Sequence, residues 1–315
     1  MKIAHIGLPK TASTFLQKHY FSKLPFCFYS TQSPYTWPIE FRFIWATHLF
    51  WYEDLLNKNA LKLRDERIHH FRVAVSKEVE GWKKGVRCWA RTIECESILL
   101  SAEGLCGLSA EMTDVHMELL RCAGVEKAMF VIRRQDKYAL SLWRQFILRE
   151  DRFSRFVNFA TLFGCNNDNP IVDLDWSRYI EALHAVFGRE NVLVLPYEMM
   201  IEAPDLFFFR FESFAELEHG QSRPDMGIRE NLSSRDETYR GYVMDDWLVF
   251  DRLPLLRRAW RRLARSIPFI KDMGSIIHET RVSDSMLELL LTRYRDSNAR
   301  LQEKIDVDLR DYGYL

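Results

Sequence analysis

Short continuous apolar runs alternate along this chain with longer stretches in which apolar residues recur every three or four positions. Five runs have the first character: Lys2–Ile6, Phe26–Ser30, Ile98–Ser101, Lys127–Ile132 and Asn191–Leu195. A strand covered on both faces needs no polar alternation, so such runs predict a parallel sheet with helices on either side. The intervening stretches supply the helices. Residues 113–123 carry Val115, Leu119 and Leu120 and stop at Gly124, a residue suited to the position after a helix end. Residues 176–187 repeat Tyr179, Ile180, Leu183 and Phe187 and stop at Gly188, just before the run "NVLVL". Beyond Leu195 the pattern reads as helical. Its clearest helix spans 286–304, with a stripe of Leu287, Leu290, Leu291, Tyr294, Leu301 and Ile305 and a capping pair formed by Ser285 and Glu288. No repeat or low-complexity linker intervenes. The pattern predicts one α/β domain over residues 1–315, a central parallel sheet flanked by helices, with helical insertions and a helical last third.

Composition narrows this picture only a little. The 315 residues are 47% apolar and 28% charged, and 44 basic side chains balance 44 acidic ones. A neutral chain has no global attraction for nucleic acid, although local basic patches remain. Cys27, Cys88, Cys95, Cys106, Cys122 and Cys165 are scattered without a CxxC pair, which predicts buried reduced thiols and no zinc site. Met1–Ile6 is too short for the apolar region of a secretion signal, and no apolar stretch is long enough to span a bilayer. A cytoplasmic protein is the expectation.

The chemistry concentrates after the first run, in "HIGLPKTASTFLQ", His5–Gln17. Parallel sheets bind ligands at the carboxyl ends of their strands, where helix N-termini point unpaired N–H groups and a positive dipole end at anions. In "GLPKTASTFLQ" small residues let the backbone approach an oxyanion. Thr11, Ser13 and Thr14 add hydroxyl donors, and Lys10 a mobile positive charge. Phe15, Leu16 and Tyr20 can anchor the helix on the sheet until Pro25 ends it. An ordinary helix cap is the alternative reading. The stretch is not a GxxxxGK[ST] phosphate loop, because its lysine precedes the small residues and no second glycine is present.

"PKTASTFL" resembles the 5′-phosphosulfate loop of the sulfotransferases, commonly PK[TS]GT[TS]xL, with Ala12 where the family has glycine. Alanine permits close approach but penalises a positive φ. The resemblance implies a P-loop-like fold and a sulfuryl donor, 3′-phosphoadenylyl sulfate. It places Pro9, Lys10, Thr11, Ala12, Ser13, Thr14 and Phe15 along the donor's 5′ side. The family grips the 3′-phosphate with an arginine at the end of a later strand and a serine eight residues on. Here the run 127–132 leads into "RRQDKYALSLW", and Arg133 and Ser141 have that spacing, with Gln135 where the family often has proline. A planar fork donor and a hydroxyl suit a phosphate dianion. Arg134 reads as a surface charge.

Three further segments carry the same resemblance. "NVLVLPYEMMIEAPDLFF" is similar to the family's strand and following turn, where Glu198 orders structure. "SNARLQEKIDVDLRDYGY" is similar to the tail of bacterial members. "IRENLSS" sits where the family places a loop over the nucleotide, which implies contacts from Arg229, Asn231 and Ser233.

The implied reaction moves the sulfuryl group to a hydroxyl, leaving 3′-phosphoadenosine 5′-phosphate. Lys10 serves the leaving group, and no metal is required. Two candidates stand for the base. His48 lies in "FIWATHLFW", and an imidazole of pKa about 6.5 suits the role. Glu103 follows a strand end in "LLSAEGL" and should project at the same sheet edge. Tyr35, Trp37, Trp45 and Trp51 crowd the neighbourhood, and aromatic faces suit the sugar rings of a carbohydrate or glycolipid acceptor. Residues 252–269 form a basic amphipathic candidate, either a solvated face or a peripheral contact with an anionic membrane or glycan. Rival readings of the chain are a nucleotide-dependent small-molecule kinase of related architecture and a non-catalytic scaffold that keeps the fold.

Overall fold

Five of the six residues of β1 (Lys2–Gly7) are buried, as a strand enclosed on every side requires. In the computed structural model β1 pairs in parallel with β3 (Ile98–Ala102) on one side and β4 (Lys127–Ile132) on the other. β2 (Phe28–Ser30) pairs beyond β3, and β5 (Val192–Pro196) beyond β4, both again parallel. The sheet order is β2-β3-β1-β4-β5. The structure describes residues 1–26, 28–30, 79–93, 95–102, 110–149, 159–165, 172–220, 223–228, 239–243, 276–280 and 282–315.

All five predicted strands form, with ends moved by no more than two residues. The helices are α1 (Ser13–Phe15), which runs on through a π-helical turn at Leu16–Tyr20; α2, residues 79–92; and α3 (Ala110–Cys122). After them come α4 (Gln135–Arg149), α5 (Phe159–Phe163), α6 (Trp176–Phe187), α7 (Tyr197–Glu202), α8 (Pro204–Phe214) and α9 (Asp284–Gln302). α3 and α9 both pack on α6, and α9 also packs on α4. Ile3, Ile6, Leu99, Phe130 and Leu195 from the sheet join Phe21, Tyr138, Tyr179, Phe211 and Leu301 in one core.

Several expectations need correction. The part beyond Leu195 is not wholly helical: β6 (Tyr239–Val243) and β7 (Ile276–Thr280) form a separate antiparallel pair. Their register sets Arg240 opposite Glu279 and Tyr242 opposite Ile277. The partners of this pair lie more than thirty residues apart, so no local period announces it. α9 starts two residues before Met286. Its cap is Ser283, whose hydroxyl accepts from the Met286 N–H at 3.4 Å, while Ser285 lies inside the first turn and shares a 3.0 Å hydrogen bond with Ser283. Two serines compete there, and Asp284 in the first turn favours the earlier start through the helix dipole. The described thiols are less buried than expected, for Cys88 is exposed and Cys95, Cys122 and Cys165 are half-buried, while Cys27 and Cys106 lie outside the described residues. Among the described residues no helix is long and apolar enough to cross a membrane, and no three potential metal ligands cluster. Residues 252–269 and the aromatic group at Tyr35, Trp37, Trp45 and Trp51 lie outside the described residues.

Candidate functional site

From β1 the sheet is extended first to one side, through β3 and β2, and then to the other, through β4 and β5. The carboxyl ends of β1 and β4 therefore flank the point where strand order reverses, the usual position of a ligand crevice in such sheets. Gly7 pairs with Val131, so the turns that follow the two strands leave the sheet side by side. They touch: Arg133 Nη1 donates to the Lys10 carbonyl at 2.7 Å.

The first turn, residues 7–15, is shaped by close approach. A Cβ built on Gly7 would lie 2.2 Å from Ser13 Oγ and 3.1 Å from His5 Cε1, so only glycine fits there. The chain then takes two left-handed residues that are not glycine, Lys10 at φ 71° and Ala12 at φ 63°. Ala12 caps α1 without a side-chain oxygen, which leaves the first-turn N–H groups without a side-chain acceptor. The hydroxyls of Thr11 and Ser13 are buried and both turn to the Leu8 carbonyl, at 2.7 and 3.3 Å. Their hydrogens thus hold the loop together, and the outward chemistry falls to backbone N–H groups, Lys10 and the half-buried Thr14. Phe15 is buried and, with Leu16 and Tyr20, anchors the helix as expected. Pro9 is half-buried.

Beneath this turn lies a polar network that the sequence did not reveal. His5 Nδ1 and Ser101 Oγ are 2.8 Å apart, and Gln17 Nε2 donates to both Ser101 O (3.2 Å) and Ser101 Oγ (3.0 Å). Tyr29 Oη donates to the Gln17 carbonyl at 3.0 Å. Burial holds the His5 imidazole neutral, with its pKa lowered to about 3.

The second turn, Arg133–Gln135, is held by remote residues. Trp176 Nε1 donates to the Arg133 carbonyl at 2.9 Å, and the Arg134 N–H donates to Glu198 Oε1 at 3.1 Å. The Arg133 guanidinium lies over the Tyr197 ring, 4.4 Å from its centroid. Its Nε is buried and has no partner among the described residues. Arg134 is not a surface charge but pairs with Asp136 in a fork, Nε to Oδ1 at 2.7 Å and Nη2 to Oδ2 at 2.9 Å. Ser141 is half-buried on α4, the helix that this turn opens. Burial pushes the Glu198 carboxyl above the usual carboxylate range, and its bonds to Arg134 and Tyr314 match the ordering role expected of it. Gln135, where the resemblance leads us to expect proline, exchanges two amide hydrogen bonds with Asn298, at 2.6 and 3.1 Å.

The structure thus brings together Lys10, Ala12, Thr14 and Arg133, with Ser141 on the adjoining helix. His48, Glu103, Arg229, Asn231 and Ser233 lie outside the described residues. The residues that sequence reasoning missed are His5, Gln17, Ser101, Trp176 and Asn298, none of which carries a motif signal on its own.

No protein-family model matches the sequence, and no curated protein matches it. Solved structures do. A sulfotransferase from Alicyclobacillus acidocaldarius superposes with a TM-score of 0.51 over 99% of this chain and 98% of that one, at 13% identity. The mouse sulfotransferase SULT7A1 complexed with PAP overlaps 70% of this chain and 60% of its own, at 13% identity and a TM-score of 0.38. The first likeness gives the class: the chain has a fold found in a sulfotransferase, a mixed α/β architecture on a central parallel sheet.

Proposed function

We propose that the protein is a sulfotransferase that moves the sulfuryl group of 3′-phosphoadenylyl sulfate to a hydroxyl of a carbohydrate or glycolipid. The observation that carries this reading is the contact between two anion-suited turns at the ends of adjacent strands, Arg133 Nη1 to the Lys10 carbonyl at 2.7 Å. A donor with anions at both its 5′ and 3′ positions needs two such turns, one fitted to each. The residues present suit it: Ala12 leaves the first-turn N–H groups uncapped, and Arg133 keeps a buried, unpartnered Nε.

The donor, when bound, supplies an activated sulfur whose bond to the phosphate oxygen breaks as the acceptor oxygen bonds to it. The chain's part is to place charges. Lys10 would neutralise the oxygen left on the phosphate, and Arg133 with Ser141 would hold the 3′-phosphate. The acceptor's proton passes to a base, for which His48 and Glu103 are the two candidates. The acceptor class, those two residues and a surface contact through 252–269 rest on sequence alone.

Calorimetric titration with 3′-phosphoadenosine 5′-phosphate tests the reading. The wild type should bind, and Lys10→Ala and Arg133→Ala should each weaken binding by about tenfold or more, as loss of a charge-assisted hydrogen bond requires. A wild type that fails to bind, or affinities unchanged in both variants, would defeat it. Transfer from labelled donor in His48→Ala and Glu103→Gln then separates the two bases, and both assignments fall if neither change slows transfer.

A further inference from the structure

The peptide unit between Arg133 and Arg134 is held at both of its poles. Trp176 Nε1 reaches its carbonyl oxygen at 2.9 Å, and its N–H reaches Glu198 Oε1 at 3.1 Å. A peptide is planar, so two such bonds fix its orientation and with it the torsion from which the Arg133 side chain departs. Tyr197, one residue before Glu198, lies against the guanidinium face at 4.4 Å. The start of α7 therefore holds both the backbone and the head group of one arginine.

Glu198 is itself held from the far side. Tyr314 Oη donates to its Oε2 at 2.9 Å, and the Tyr314 carbonyl accepts from Asn298 Nδ2 at 2.9 Å. Asn298 also pairs with Gln135, the next residue of the turn. Gly313 sits at φ 72°, and a Cβ there would meet Arg134 Nη1 at 2.9 Å, so residues 309–315 close tightly against the turn. Tyr314 is only 3% exposed, which leaves its ring no access to a bound ligand. Whatever it contributes passes through Glu198 and the backbone.

We infer that Glu198 and Tyr314 are positioning residues for the second anion turn, setting where the Arg133 guanidinium stands and so how strongly the protein holds the donor's 3′-phosphate. The inference rests on the donor reading above. Removing the Tyr314 hydroxyl leaves a buried carboxylate oxygen without its donor. The carboxylate then turns toward another partner and releases the Arg134 N–H, while the first turn keeps the bonds of Thr11 and Ser13 to the Leu8 carbonyl.

The test compares two probes on the whole protein: 3′-phosphoadenosine 5′-phosphate and adenosine 5′-monophosphate, which lacks the 3′-phosphate. The ratio of their affinities reads the second turn alone. In Tyr314→Phe the ratio should fall by about tenfold, the worth of a hydrogen bond to a charged group, with monophosphate affinity unchanged. Glu198→Leu should do the same. Glu198→Gln keeps an acceptor for the Arg134 N–H and a partner for Tyr314, and should retain the wild-type ratio. An unchanged ratio in both Tyr314→Phe and Glu198→Leu, or affinities for the two probes that fall together, overturns the inference and leaves the donor reading standing. A wild type that does not distinguish the probes removes the donor reading, and the inference with it.

Discussion

The two turns that meet at Lys10 and Arg133 are built by opposite means. The first gets its shape from within. Leu8 accepts from hydroxyls three and five residues on, Gly7 makes room for Ser13, and Lys10 and Ala12 bend the backbone through left-handed conformations. The second has one local tie, the fork from Arg134 to Asp136, and is otherwise held from a distance. Its remote partners are Trp176, Glu198 and Asn298, which lie 43, 64 and 163 residues away from the atoms they bind. A local turn is specified by a contiguous string of residues. A turn built from remote pieces exists only once the helices that carry those pieces have docked.

Breaking that remote scaffold should therefore give the largest effect. Asn298 is fully buried and bonds both to Gln135 and to the Tyr314 carbonyl. Asn298→Ala strands a buried amide and a buried carbonyl at once, and each unsatisfied group costs about 1–3 kcal/mol. We expect a loss of about 3 kcal/mol in urea unfolding. A loss below about 1 kcal/mol, the worth of an ordinary exposed change, would mean that the second turn does not depend on the pieces that surround it.

The same contrast explains what could be read in advance. "PKTAST" is contiguous, so its place at a strand end was legible, as was Arg133 at the end of the run Lys127–Ile132, apolar from Ala128 on. The five strands were legible because each is a continuous apolar run in a doubly covered sheet. Trp176 was legible only as the start of a helix, and Asn298 only as part of a tail, because a side chain's partner 43 or 163 residues away leaves no trace in local spacing. The β6–β7 pair was missed for the same reason. The inward aim of Thr11 and Ser13 is a matter of rotamer and loop closure, which composition does not encode.

His5 sharpens the comparison, because the first turn has one remote tie of its own. The ring is fully buried beside Ser101, and Gln17 from the helix after the turn bonds to the same serine. Its pKa in the fold is lowered to about 3, whereas an unfolded histidine takes up a proton near pH 6.5. Between those values the unfolded chain binds more protons. The contribution of His5 is thus complete above about pH 6.5 and is lost as pH falls toward 3, at up to about 1.4 kcal/mol per pH unit. Urea unfolding at pH 7.5 and pH 5 should show a steeper decline in wild type than in His5→Gln. Equal declines would mean that the ring exchanges its proton in the folded protein as freely as in the unfolded chain.

The smallest effect belongs to Ala12, and it bears most directly on how local the first turn is. Alanine at φ 63° carries a steric cost of about 1–2 kcal/mol that glycine avoids. Glycine in turn loses more backbone entropy on folding, by about 0.5–1 kcal/mol. Ala12→Gly should therefore raise stability by about 0.5–1 kcal/mol, seen as a small rise in thermal midpoint. The gain should be the same in the Asn298→Ala background, because a strain confined to the first turn does not depend on the scaffold of the second. A fall in midpoint would show that the alanine methyl makes packing contacts worth more than the strain it causes. A gain that vanished in the Asn298→Ala background would show that the Arg133–Lys10 contact couples the two turns more tightly than their separate construction implies.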